Sequence, residues 1–356
     1  MLETYTRLAE AALRDEAPTR EAARWILDGD DVELLPLLHA AYVPRRRHFG
    51  RQVMVHVLNN VQNGLCPEDC GYCSQSKHST ADVRAYTMKS DDQILAEAEA
   101  AVASGASRYC MVLSGRGPSL EVTRRVAAMI REVKARFPIE VCLSAGLLDQ
   151  SRAQILADAG LDRFNHNLNT SEAHYERLCT THTYQDRLDT LLAAKASGLE
   201  SCSGLIVGTG EQSDDIIEVA FTLRELEVPS IPVNFLVPIE GNPLQTDGTL
   251  RPEHCLRTLA LMRLINPRAE IRAAAGREGH LRTLSPLLLW PANSLFVEGY
   301  LTTRGDAVRE TYAMIQDAGF EIEGNPEYKA NAEQRSNDFR LPGKQGILKP
   351  EIAAHP

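Results

Sequence analysis

From about residue 52 onward, short apolar runs alternate with longer amphipathic stretches. The runs 53–59, 108–113, 139–144, 162–167, 201–207, 232–237, 270–274 and 293–297 have the length and the Val, Ile, Leu and Phe content of strands. Residues 91–104, 119–136, 151–159, 184–197, 213–226, 253–265, 281–289 and 306–318 carry the wider apolar spacing of helices. Ser90 with Asp91 and Asp92, and Ser151, read as N-caps or first-turn acids, and Gly105, Gly160, Gly198 and Gly319 stand where helices should stop. Strands that each lead into a helix predict an α/β fold of the (β/α)8 TIM-barrel type over residues 49–325. An open doubly wound sheet is the alternative arrangement.

Residues 1–48 precede this pattern and read as a helical extension. The extension ends at Arg45-Arg46-Arg47-His48, a solvated boundary that could also meet a phosphate or carboxylate. Residues 326–356 are polar and hold Pro342, Gly343, Gly346 and Pro350, as a loosely ordered tail does.

Charge and composition narrow the function. The chain has 38 Lys and Arg against 48 Asp and Glu, a net charge of −10, which speaks against a general nucleic-acid binder. No apolar run approaches the roughly 20 residues of a membrane span. The first residues are amphipathic and charged, so no signal peptide is expected and a cytoplasmic setting is. In that setting the eight cysteines point to metal or redox chemistry rather than to disulfides.

Three of them form Cys66-Pro-Glu-Asp-Cys70-Gly-Tyr-Cys73, directly after the first strand. In a barrel this loop lies on the face that carries active sites. A structural zinc site takes four ligands, with His78 the available fourth, and a closed iron–sulfur cubane takes four cysteines. A cubane held by three cysteines keeps one iron open to a small molecule. The CxxxCxxC spacing resembles that of the radical S-adenosylmethionine enzymes. The resemblance implies a [4Fe–4S] cluster on Cys66, Cys70 and Cys73 that binds and cleaves S-adenosylmethionine, with Tyr72 beside the adenine.

Cys110, Cys142 and Cys202 lie inside separate strand candidates. Alternate strand residues point into a barrel, so the three thiols could converge there, with Arg272 of a later strand beside them. A buried guanidinium needs an anionic partner. The stretches CPEDCGYCSQ, RYCMV, EVCLSAG, AGLDRFNHNLNTS, TYQDRLDT, CSGLIVGTGE, VNFLVPIEGNPL and IRAAAGRE, in this order, are similar to those of the biotin synthase family. That resemblance covers about residues 50–320.

The resemblance implies a second, [2Fe–2S] cluster on Cys110, Cys142, Cys202 and Arg272, the immediate sulfur donor when dethiobiotin becomes biotin. It implies that Asn165 and Asn234 meet the substrate, Asn234 at the ureido ring. Asn167 and Asn169 would serve S-adenosylmethionine, Ile206 and Val237 would wall the adenine, and Arg187 would pair with the methionine carboxylate. A helix-surface ion pair with Asp186 or Asp189 is the other reading of Arg187. Asn169 departs from the family's usual aspartate. His166, Cys179 and Cys255 receive no role, the two cysteines being read as ordinary thiols. A homodimer and an electron donor of the flavodoxin or ferredoxin kind follow from the family as well. The alternatives are another radical S-adenosylmethionine enzyme on the same barrel and a non-catalytic zinc or iron–sulfur protein.

Overall fold

The computed structural model describes residues 2–244, 246, 250–297, 299 and 308–324. Its strands are β1 (Gln52–Gln62), β2 (Arg108–Leu113), β3 (Glu140–Ser144), β4 (Arg163–Asn165), β5 (Glu200–Cys202), β6 (Leu205–Val207), β7 (Ser230–Phe235), β8 (Glu270–Ala273), β9 (Ser294–Val297) and β10 (Glu321–Ile322). All pair in parallel, in the order β1-β2-β3-β4-β5-β7-β8-β9, and β9 returns to β1 through Met54 to Val57. This closes a barrel of eight positions, β5 and β6 sharing one of them against β7. The expected TIM-type architecture is therefore present, and the open sheet is excluded. β10 adds only to the start of β1.

The expected single strand over 201–207 is interrupted. At Gly204 a Cβ would lie 1.8 Å from the carbonyl oxygen of Pro232, so only glycine passes there. The break separates Cys202 from Ile206. Helix ends match the sequence pattern with one exception. Ser90 caps residues 91–103 with a capping box, and Gly105, Gly160, Gly198 and Gly319 all have φ between +79° and +85°. The helix Gln150–Ala157 is capped by Asp149, which accepts from Arg152 N–H at 2.9 Å; Ser151 lies inside it and only hydrogen-bonds that cap. Residues 281–289 are mostly a 3₁₀ helix, Arg282–Leu289, after a short α-helix, Arg277–Leu281. The last expected helix spans Val308–Asp317, and the expected tail lies outside the described residues.

Three helices, Leu2–Leu13, Arg20–Asp28 and Leu34–Phe49, precede β1. They pack over the barrel helix Pro252–Ile265, in which every residue from Cys255 onward is buried. The basic run 45–48 is not wholly solvated. Arg45 is fully buried, stacks on Phe320, and donates to the carbonyls of Gly50, Gln52 and Ala292. No described helix is long and apolar enough to cross a membrane.

Candidate active site

Period-two alternation builds the barrel interior in layers. Along β2, Arg108 and Cys110 share the inner face; along β3, Glu140 and Cys142 do; along β8, Glu270 and Arg272. Register then sets the level: Cys110 pairs with Cys142, Asn165 with Cys202, and Arg272 with Ser294. The three strand thiols form one buried cluster with Ala274 and Phe296. Cys142 touches both other thiols, and Arg272 Nη1 lies 3.6 Å from Cys202 Sγ. Contact with Cys142 draws the Cys110 thiol toward ionisation, helped by Arg272 and Arg108, while its partner Cys142 is pushed up to about 12.

Two residues down each strand lies a charged layer that the sequence reading did not resolve. Glu270 is almost fully buried. It takes 2.5 and 3.0 Å contacts from Arg272 and Arg108 and approaches His56 at 3.4 Å. Burial raises the cost of its charge, but Arg272, His56 and Arg108 outweigh that and hold its pKa well below the carboxylate range. Burial likewise opposes the charge on Arg272, and Glu270 followed by Cys202 more than restores it. The anionic partner expected for Arg272 is thus supplied in part by the protein. Its Nε still has no protein partner, nor does Ser294 Oγ beside it in register. A guanidinium with unspent donors among thiols suits a sulfur-rich anionic group.

Above the strand thiols a cavity of about 390 Å³ opens at the C-terminal end of the barrel. Cys66, Cys70 and Cys73 line one side, and Cys110, Cys142 and Arg272 line its floor; Cys202 sits just beneath, fully buried. The three loop thiols face this space from one side, as a three-cysteine cubane requires. His78 is exposed and belongs to no group of metal-ligand spacing among the described residues.

The remaining expected residues also reach the cavity. Tyr72 accepts from Asn169 Nδ2 at 2.6 Å. Asn169 has φ +72°, a left-handed conformation that asparagine and aspartate tolerate best, so the residue type follows from the backbone as well as from any ligand. Asn165 Nδ2 lies 3.2 Å from Cys202 Sγ, and Asn167 Oδ1 accepts from Gly204 N–H at 3.1 Å. Asn234 is fixed between Leu205 and Ala275 backbone groups, and Ile206 and Val237 line the same mouth. Arg187 makes no surface ion pair. It is buried, donating to Asn167 O at 2.7 Å, to Tyr175 Oη and to His182 Nε2 at 2.9 Å. His166 lines the cavity and stacks on Phe164, and burial holds it neutral.

Residues 62–223 match the Radical SAM superfamily, and residues 232–321 match the Biotin and Thiamin Synthesis associated domain. A biotin synthase of Acaryochloris marina is 51% identical over 339 residues, 95% of this chain and 98% of the relative. One from Magnetococcus marinus is 53% identical over 316 residues, covering 89% and 98%. The chain belongs to the biotin synthase family. Solved structures share the fold. A methylornithine synthase aligns with TM-score 0.76 at 18% identity, covering 91% of this chain and 99% of its own. A FeFe-hydrogenase maturase from Carboxydothermus hydrogenoformans aligns with TM-score 0.76 at 15% identity, covering 90% and 80%. What sets the biotin synthase family member apart from a generic barrel is the thiol cluster on its floor. Sequence reasoning missed three groups near it: Glu270 below the floor, and Glu68 and His182 behind the cysteine loop.

Proposed function

We propose that this chain converts dethiobiotin to biotin through two metal sites, one in the cysteine loop and one on the barrel floor. When bound, a [4Fe–4S] cluster on Cys66, Cys70 and Cys73 supplies reductive cleavage of S-adenosylmethionine to a 5′-deoxyadenosyl radical, and a [2Fe–2S] cluster on Cys110, Cys142, Cys202 and Arg272 supplies sulfur. The observation that carries the reading is the meeting of both cysteine sets at one cavity.

The chemistry explains the architecture. Both carbons that gain sulfur are saturated, and their C–H bonds are not acidic, so no side-chain base near neutral pH removes a proton from them. The protein's task is to position reactants and exclude competitors. Tyr72, Ile206 and Val237 hold the adenine, and Asn167 and Asn169 serve the rest of S-adenosylmethionine. Arg187, preset by Tyr175 and His182, takes the methionine carboxylate in a charge-assisted pair. Asn234 offers a donor and an acceptor to the neutral ureido ring. Asn165 stands between the substrate and the Cys202 sulfur. Strand-mounted thiols give the floor rigid placement.

The enzyme is further read as cytoplasmic, in keeping with eight free cysteines. The family resemblance supports a homodimer and reduction by a flavodoxin or ferredoxin. Reconstituted anaerobically, the protein is expected to give two distinct iron–sulfur spectroscopic signals. Cys110→Ala should remove one and spare the other. Iron held only at Cys66, Cys70 and Cys73 in the unmodified protein would contradict the sulfur-insertion reading.

A further inference from the structure

Cys179 does not behave as the ordinary thiol that the sequence suggests. Its segment is stitched to the cysteine loop. Gly71 N–H donates to Leu178 O at 2.8 Å, and Asp69 accepts from Thr180 N–H at 2.9 Å and Thr181 N–H at 3.2 Å. The stitching sets Cys179 Sγ 3.6 Å from Cys70 Sγ, both side chains buried. His182 Nδ1 lies 3.1 Å from Cys179 Sγ, so the three donors have the spacing of a mononuclear metal site.

The imidazole argues against a metal. Arg187 Nη2 can only donate, and it lies 2.9 Å from His182 Nε2, which must therefore accept. The ring proton is then on Nδ1, which donates to Glu68 Oε2 at 2.6 Å and has no lone pair to offer. What remains is a pair of thiols in contact, one of them facing the cavity.

We propose that Cys70 and Cys179 form a reversible oxidation site that closes as a disulfide when the cysteine loop holds no cluster. The oxidant is a small-molecule disulfide. One thiolate of the pair attacks one of the oxidant's sulfurs, forming a mixed disulfide and expelling one small thiolate. The other protein thiolate then attacks the protein sulfur of that mixed disulfide and expels the second. One S–S bond of the oxidant breaks and one forms in the protein. Two protein thiols are oxidised, and their electrons and protons leave in two molecules of small thiol. The sulfurs need to approach from 3.6 Å to about 2.05 Å, a rotamer-scale movement between segments already joined by backbone hydrogen bonds. The consequence rests on the reading of Cys70 as a cluster ligand: the closed pair withholds it, so the loop takes up no cluster until a thiol reopens the bond.

The test uses full-length, iron-free protein treated anaerobically with oxidised glutathione, then digested and mapped by mass spectrometry without reduction. The expected main cross-link joins Cys70 to Cys179 and disappears with dithiothreitol. Cys70 joined to Cys66 or Cys73, or Cys179 left as a free thiol, overturns the proposal. Cys179→Ser supplies a second readout, once its circular dichroism matches that of the parent. Oxidised parent protein should lose iron uptake at the loop, and dithiothreitol should restore it. Oxidised Cys179→Ser should take up as much iron as its reduced form. Equal loss in that variant overturns the gating. If Cys70→Ser still takes up loop iron while the parent's cross-link maps as expected, the ligand reading fails and the disulfide stands.

Discussion

Arg272 is held by three kinds of group at once: the Glu270 carboxylate, the Ser230 hydroxyl and the Cys202 sulfur. Glu270 also pairs with Arg108, which keeps Glu140 at 2.7 Å, so its removal chiefly leaves the buried Arg272 guanidinium without a carboxylate. Glu270→Ala should therefore lower stability by about 3–5 kcal/mol in denaturant unfolding. A loss under about 1 kcal/mol would mean that this ion pair is not held in the folded protein. The need of Arg272 for an anion is legible in the sequence, because a guanidinium beside Ala273–Ala275 on an inner face must be compensated. Its partner Glu270 carries a signal as well, two residues earlier and so on the same face, but the sequence reading does not pick it out. Cys179 is different. Nothing within 100 residues of sequence announces its contact with Cys70, which arises only when two loops pack.

At the scale of elements, Asp149 and Gly204 make separable claims. Asp149 caps the helix Gln150–Ala157, and the Arg152 backbone N–H, then the Ser151 hydroxyl, lower its pKa from the ordinary value. A depressed carboxylate stabilises above its unfolded pKa of about 3.9 and loses that contribution as pH falls through the folded value. Asp149→Ala should cost about 1 kcal/mol at neutral pH. The difference should shrink below about pH 4 and vanish once both proteins carry no charge there. An undiminished difference at low pH would assign the effect to something other than the ionised cap.

Gly204→Ala should be far more damaging, because the added methyl meets backbone at Pro232 rather than a movable side chain. Thermal unfolding would check this, and an unchanged midpoint would contradict the close passage. The strand pattern around Gly204 reads as one run, since apolar spacing does not report a clash with a distant carbonyl. By contrast the caps and C-terminal glycines are local, which is why Ser90, Gly105 and Gly160 are readable without a structure. Ser151 was misleading because Asp149, two residues earlier, competes for the same cap.

For the molecule as a whole, the three leading helices are part of the barrel's packing. Arg257 of the buried helix donates to the carbonyls of Leu27, Gly29 and Val32 near the second helix. Arg45 closes the end of the barrel opposite the cavity, still charged at neutral pH although burial lowers its pKa to about 10. Arg45→Met leaves three carbonyls without that donor and should cost about 3 kcal/mol, at roughly 1 kcal/mol per bond. The basic run gave little hint of this, because a surface arginine and a buried one look alike until the packing is known.

The barrel and both cysteine sets, in contrast, are legible from strand spacing and family likeness together. They make one central claim: two sites at one cavity join radical formation to sulfur transfer. The most direct test is an anaerobic reaction of reconstituted protein with dethiobiotin, S-adenosylmethionine and a reductant, with iron and sulfide quantified. The account predicts biotin alongside 5′-deoxyadenosine, and 5′-deoxyadenosine without biotin from Cys110→Ala. Cleavage of S-adenosylmethionine by the unmodified, fully reconstituted protein with no biotin formed would contradict it.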